Sequence, residues 1–169
     1  LDNAAGVVTL LLLAGLTGAQ QDSRMVEIVL FNGEDYFASS GELVYLPFVQ
    51  QHGSEILLNI NLDGLGYLEG KTAYSFVELA APLAETARRV FARHAGLVEG
   101  PPWYQSDHMV FVQSGIGALA ITSEAAEDIF RRLTHTTADT LEQVAPARLV
   151  ETALALNELL EEINTIGES

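Results

Sequence analysis

The chain has 169 residues, of which 49% are hydrophobic, so it is long enough for one domain with its own core and too short for two. Its 23 acidic and 8 basic residues give a formal net charge of -15, which argues against a nucleic-acid partner and is compatible with cation binding. The sequence contains no cysteine, so it offers neither disulfides nor thiolate metal ligands.

The first predicted element is a helix over residues 3–17, within "LDNAAGVVTLLLLAGLTG". Its apolar run, residues 7–16, is shorter than the about 20 residues that cross a bilayer, so we expect a buried helix and no membrane span. A signal-peptide core is the competing interpretation, but no basic region precedes the run. The chain begins at Leu1 without a lead-in, so we expect residues 1–169 to form a single domain whose N-terminal part is missing.

Strands and helices alternate along the rest of the chain. Strands are predicted over residues 25–31, 55–62 and 117–123. Helices are predicted over residues 41–51, 76–95, 124–132 and 146–163. The second of these should begin near Pro82, because proline is tolerated in a first turn, and Ser123 is a candidate cap for the third. This alternation is typical of an α/β domain with a largely parallel sheet that is covered on both faces.

Acidic and histidine side chains follow the predicted strands or lie in loops. They are Asp2, Glu34, Asp35, Asp63, Asp107, His108 and His135. Because the carboxyl ends of parallel strands meet at one edge of a sheet, these groups can converge there. Converging carboxylates repel one another unless a cation holds them, and carboxylate with imidazole suits zinc, with cobalt or manganese as substitutes. The pattern therefore favours a divalent metal site.

Each of these residues also has a purely structural interpretation. Asp2, followed by Asn3, could be a helix N-cap, and Asp63, followed by Gly64, could form a turn. Asp139 could orient its own loop. The combination of groups, and no single one of them, favours the metal site.

Five ordered segments together carry a family resemblance. They are "LDNAAGVVTLL", "VEIVLFNGEDYFASSGE", "ILLNINLDGLG", "SDHMVFVQSGIGALAITSE" and "THTTADTLEQV". In order and spacing they resemble the co-catalytic di-zinc aminopeptidases of metallopeptidase family 28, and in particular a branch that reads "FNGED". The resemblance covers nearly the whole chain and implies a three-layer α/β/α fold with a mixed, mainly parallel central sheet, as in zinc exopeptidases.

The resemblance implies a role for each matching residue. Asp2 would bridge two zinc ions, and Glu34 would be the general base. Asp63 would bind the first zinc ion, and His135 and Asp35 the second. Asp35 stands where most members have a glutamate, whose side chain is longer by one methylene group.

The implied reaction is removal of N-terminal residues from peptides with a free N-terminus. Asp107, His108 and Phe111 are placed beside the substrate pocket. The family's first-metal histidine lies upstream of the bridging aspartate, and none of the four histidines here matches it. We therefore expect this chain by itself to bind the first metal poorly, to be impaired in activity and to self-associate through an exposed sheet edge. The alternatives are a non-catalytic relative, an acidic α/β interaction module, a carboxypeptidase and a glutaminyl cyclase.

Overall fold

The computed structural model describes residues 1–18, 24–33 and 40–165. Its helices are α1 (Ala4–Thr17), α2 (Ser40–His52), α3 (Ala81–Phe91), α4 (His108–Gln113), α5 (Ala126–Arg132) and α6 (Pro146–Thr165). Its strands are β1 (Asn59–Leu62), β2 (Thr72–Val77), β3 (Leu97–Glu99) and β4 (Ala118–Ser123). Short 3₁₀ turns span Gly53–Glu55 and Leu141–Gln143. None of the helices in these described ranges combines the length and apolar character needed to cross a membrane.

The four strands form one mixed sheet in the order β1-β4-β2-β3. β1 pairs with β4 in parallel, and β2 pairs with β3 in parallel. β2 and β4 pair in the antiparallel sense over the full length of both strands. The prediction of a mixed, mainly parallel sheet in an α/β domain is thus confirmed, with an antiparallel pairing at its centre.

Helices cover the sheet because its central strand is apolar on both sides. Ala118, Leu119, Ala120 and Ile121 of β4 are all at most 1% exposed. Successive strand side chains point to opposite faces, so burial of all four requires cover on both faces. Leu119 and Ile121 belong to the main core with side chains of α1, α3 and α6, while α4 contacts both β4 and β1.

The predicted long helices are confirmed. α3 has Pro82 in its first turn, as expected from the fixed backbone angle of proline. α6 places its apolar stripe against α1 and α3, and Leu156 and Leu159 at its centre are fully buried. The candidate site residues lie at the ends of other elements as well: Asp2 precedes α1, Asp63 follows β1, and His135 follows α5.

The strand predicted over residues 25–31 is not present. Residues 24–31 belong to no strand or helix, and Met25 and Leu30 are 90% and 56% exposed. A strand needs a hydrogen-bonded neighbour, and none of the described residues forms a ladder with this segment. The second predicted strand, residues 55–62, begins only at Asn59. Glu55 belongs to a 3₁₀ turn, and residues 56–58 belong to no strand or helix.

Two further differences concern local signals. β2 and β3 lie in regions that the sequence analysis did not assign to strands, and buried Thr72 and Ser75 of β2 interrupt its apolar run. Ser123 is the last residue of β4 and does not cap α5, whose N-cap is Ala125. Its hydroxyl oxygen instead accepts a hydrogen bond from the Ala125 N–H at 3.2 Å.

Apolar side chains are exposed on the outer face of α1, where Val8 and Leu11 are 45% and 62% accessible. Exposed apolar faces of this kind are typical of surfaces that associate. Self-association of the chain stays a prediction.

Candidate metal centre

Asp2 and His135 are far apart in sequence but adjacent in space. An oxygen of the Asp2 carboxylate, Oδ2, lies 3.5 Å from Nε2 of His135. Two donors bound to one tetrahedral zinc ion at about 2.0–2.1 Å would lie roughly 3.3 Å apart. The observed separation therefore suits two ligands of a common zinc ion, and the imidazole, which is 58% exposed, is accessible to one.

The backbone of His135 is itself unusual. Its φ of 58° lies in the left-handed region, which is uncommon for residues other than glycine and is enriched at functional sites. Hydrogen bonds on both sides hold this turn: the Thr136 N–H donates to the Leu133 carbonyl at 2.9 Å, and the Asp139 N–H donates to the Thr136 carbonyl at 3.2 Å. The loop therefore presents the imidazole from a fixed backbone.

Asp139 contacts the backbone on either side of the Leu1–Asp2 peptide bond. Its Oδ1 accepts a hydrogen bond from the Leu1 amino group at 2.6 Å, and its Oδ2 accepts one from the Asp2 N–H at 3.0 Å. Asp139 therefore holds the backbone at Leu1 and Asp2.

Asn3 joins the start of α1 to the end of β1. Its side-chain oxygen caps α1 by accepting a hydrogen bond from the Gly6 N–H at 3.2 Å. Its side-chain amide donates to the Leu62 carbonyl at 2.7 Å, next to Asp63. The N-cap is thus Asn3, which leaves the Asp2 carboxylate facing His135. The Asp2–Asn3 peptide bond is cis.

Asp63 follows β1 directly and precedes Gly64, whose φ of 65° makes the turn. The Ser106 hydroxyl donates to Asp63 Oδ2 at 2.9 Å, and the side-chain amide of Asn61 donates to the Ser106 oxygen at 3.0 Å. This chain of hydrogen bonds fixes the orientation of the Asp63 carboxylate, as outer partners of metal ligands do. Both the turn interpretation and the ligand interpretation of Asp63 remain compatible with its position.

The described residues bring together part of the predicted ligand set. Among them, no group of three or more His, Asp or Glu side chains is arranged to hold a metal ion. Glu34 and Asp35 lie outside the described residues, in the gap between residues 33 and 40. The donors that the structure does describe, two carboxylates and one imidazole, are of the type that zinc binds.

A comparison with protein-family models identifies the family. The model of peptidase family M28 matches residues 1–160. The chain belongs to peptidase family M28. No curated protein sequence matches it.

Solved structures with the same fold include aminopeptidases. An aminopeptidase from Aneurinibacillus sp. strain AM-1 superposes with a TM-score of 0.80 at 21% identity, over 95% of this chain and 39% of its own. A zinc aminopeptidase from Bacillus subtilis gives a TM-score of 0.80 at 18% identity, over 99% of this chain and 43% of its own. A glutaminyl cyclase from Porphyromonas gingivalis gives 0.72 at 20% identity, over 96% of this chain and 65% of its own. This M28 chain thus spans about two fifths of the length of the two aminopeptidases.

The predicted pocket residues of the M28 chain occupy different environments. Asp107 and Phe111 line a cavity of about 760 Å³ that Asn3 and Asn61 also line. His108 is fully buried, and its Nε2 lies 2.8 Å from the Trp103 carbonyl oxygen. Burial lowers the pKa of His108, although the bond to Trp103 opposes this, so the neutral ring donates its Nε2–H to the carbonyl. His108 therefore holds the loop that precedes α4 through Trp103, while Asp107 and Phe111 line the cavity.

Several residues that organise the M28 site were missed by sequence reasoning. Asn3, Asn61 and Ser106 make the side-chain hydrogen bonds around Asp2 and Asp63, and Asp139 was assigned only to its own loop. One signal was present: Asn59 and Asn61 are the polar residues in the otherwise apolar run "ILLNINL". The hydrogen bonds themselves join residues distant in sequence, which spacing does not reveal.

Proposed function

We propose that this chain supplies most of the active site of a zinc-dependent aminopeptidase, which removes N-terminal residues from peptides. The observation that carries the proposal is the approach of the Asp2 carboxylate to the His135 imidazole at 3.5 Å. Membership of peptidase family M28 and the fold shared with two aminopeptidases support it.

In this proposal Asp2, His135 and Asp35 would hold one zinc ion, and Asp2 and Asp63 would hold the other. Cobalt or manganese could replace zinc, because carboxylate and imidazole donors accept either ion. The Asp2–His135 distance and the hydrogen bonds that orient Asp63 support these roles. The zinc ions, when bound, supply Lewis acidity that activates water and polarises the peptide carbonyl.

Glu34 is proposed as the general base. It accepts the proton of the attacking water and returns it to the leaving amine. A base must not be occupied as a metal ligand, so only one of the two adjacent acids, Glu34 or Asp35, can serve as the base. The two acids can therefore divide the work, with Glu34 moving the proton and Asp35 holding a metal.

A peptide with a free N-terminus is the proposed substrate. Its ammonium group is attracted by a strongly acidic chain with a net charge of -15. Phe111 and the apolar side chains of the cavity of about 760 Å³ offer a surface for a substrate side chain.

The test is hydrolysis of aminoacyl p-nitroanilides and of matched N-acetylated peptides by the natural protein that carries this sequence. We expect cleavage of the free substrates and not of the blocked ones. Glu34→Gln should lower kcat by about 10²–10⁴-fold, the usual contribution of a general base. Glu85→Gln, which changes an exposed glutamate on α3 that does not line the cavity, is the matched control and should leave kcat unchanged. Equal cleavage of blocked and free substrates would contradict the aminopeptidase assignment.

A second candidate function is cyclisation of N-terminal glutamine, because the Porphyromonas gingivalis glutaminyl cyclase shares the fold. The same protein is incubated with a peptide that begins with glutamine. Release of ammonia without a shortened peptide would favour the cyclase. If neither reaction occurs with zinc present, the alternatives that remain are a carboxypeptidase, a non-catalytic relative and an interaction module.

A further inference from the structure

Asp139 belongs to the same loop as His135, and the loop contacts Asp2 at two points. His135 faces the Asp2 side chain at 3.5 Å, and Asp139 accepts the Asp2 backbone N–H at 3.0 Å. Contact at a side chain and at the backbone of one residue fixes both its position and its direction. The loop therefore holds Asp2 from both ends.

The chemistry of the contact explains why this residue is an acid. Asp139 uses both carboxylate oxygens as acceptors, one for Leu1 and one for Asp2. An asparagine in its place would offer one acceptor and one donor, so one of the two N–H groups would face another donor. The Asp2 contact uses a backbone N–H and so does not depend on the charge of the Leu1 amino group.

Both partners of this contact are anchored in the interior. Leu1 and Leu133, which flank the two contacting segments, are both 6% exposed and lie in one apolar cluster. Within the loop, the Thr136 hydroxyl donates to the Leu133 carbonyl at 2.8 Å and accepts the Ala138 N–H at 3.2 Å. The backbone that carries Asp139 is thus held by hydrogen bonds within its loop, and the Asp139 side chain is only 14% exposed.

We propose that Asp139 is a positioning residue that holds the Asp2 carboxylate beside His135 for metal binding. The proposal rests on the proposed function, because it treats Asp2 and His135 as ligands. Asp139 itself is no ligand, since both of its oxygens are occupied by backbone donors. Its effect on the metal passes through Asp2.

The test compares Asp139→Asn with Asp128→Asn in the natural protein that carries this sequence. Asp128 is on α5, is half-exposed and lies 3.6 Å from Arg132. Its substitution removes the same negative charge at a position outside the proposed zinc site. The zinc dissociation constant is measured by competition with a chromophoric chelator. We expect Asp139→Asn to weaken zinc binding by about 10–100-fold, as loss of outer partners of metal ligands does, and Asp128→Asn to leave it unchanged.

A double-variant cycle separates positioning from a general structural effect. In the Asp2→Asn background, Asp139→Asn should cause no further loss of zinc affinity, because the residue through which it acts is already changed. Asp139→Glu keeps the charge and both acceptors but moves them by one methylene group, and it should also weaken binding. An unchanged dissociation constant in Asp139→Asn, additive losses in the cycle or full affinity in Asp139→Glu would each overturn the proposal.

Hydrogen exchange of the Asp2 amide, followed by NMR, tests the contact without any metal. Asp139→Asn should accelerate exchange at Asp2 at least about tenfold, while exchange at the central strand β4 stays slow, as expected when only a local contact opens. If the unaltered natural protein bound no zinc, the proposed function would fail, and this measurement alone would decide the role of Asp139. Unchanged exchange at Asp2 would overturn it.

Discussion

The two glycines within α1 offer a sharp test of the Asn3 bridge between α1 and β1. A Cβ atom added at Gly6 would lie 2.4 Å from the side-chain oxygen of Asn3 and 2.8 Å from the Leu62 carbonyl oxygen. A Cβ atom added at Gly15, in the same helix, would meet nothing within 4 Å. The same substitution, glycine to alanine, should therefore have opposite effects at the two positions.

The expected magnitudes follow from these contacts. Gly15→Ala should raise the free energy of unfolding by about 0.5–1 kcal/mol, because alanine loses less backbone entropy in a helix. Gly6→Ala gains the same amount but loses the Asn3 cap and the hydrogen bond to Leu62, each about 1 kcal/mol, and overpacks the site at a cost of about 1–3 kcal/mol. Its net effect should be a loss of about 2–4 kcal/mol.

The assay is urea unfolding followed by far-UV circular dichroism, with the midpoint compared at a constant slope. Gly15→Ala should shift the midpoint upward and Gly6→Ala downward. In thermal unfolding, each kcal/mol should correspond to about 2–4 °C for a domain of this size. Equal upward shifts for both variants would refute the reasoning, because Asn3 would then not lie between α1 and β1.

Two further predictions concern the rest of the fold. Leu156→Ala, in the core side of α6, should lower the free energy of unfolding by about 2–5 kcal/mol, whereas Leu154→Ala, at a side chain that is 45% exposed, should change it by less than about 0.5 kcal/mol. Burial, together with a hydrogen bond and charge from Glu27, raises the pKa of Tyr45 to about 12. Its contribution to stability should thus be present below pH about 10, the ordinary tyrosine pKa, and be lost as the pH rises from there to about 12. Burial also raises the pKa of Tyr74, so ultraviolet difference titration should show late-ionising tyrosines, one of which is absent from Tyr45→Phe; ionisation of all tyrosines near pH 10 would contradict this.

The sequence predicted the helices better than the strands, for a physical reason. α3 and α6 carry a 3.6-residue apolar period, α3 has a proline in its first turn, and α1 is marked by a continuous apolar run. β2 is buried on both sides, so its sequence "TAYSFV" does not alternate, and Thr72 lies inside because its hydroxyl meets that of Thr152 at 3.3 Å. The hydrogen-bond partner of Thr72 belongs to α6, so the sequence of the strand alone does not show that Thr72 can be buried.

The sequence likewise predicted only part of the candidate site. Asp2, Asp63 and His135 could be named as candidates from the sequence, because the segments that contain them resemble the family in order and spacing. Asn3 and Asp139 could not be assigned their roles, because the groups that they bond, the Leu62 carbonyl and the Asp2 N–H, belong to the backbone of distant segments. Backbone donors and acceptors are present at nearly every residue, so no sequence pattern marks the ones that a side chain will use.

The zinc content of the purified chain after equilibrium dialysis tests the central claim most directly, because the Asp2–His135 pair is proposed as a zinc site. The unaltered chain should retain zinc, and His135→Gln should lose it. His52→Gln, a matched change on α2 at a ring bonded to the Phe48 carbonyl, should retain zinc as the unaltered chain does. A chain that retains no zinc, or a His135→Gln variant that retains as much as the unaltered protein, would contradict the account.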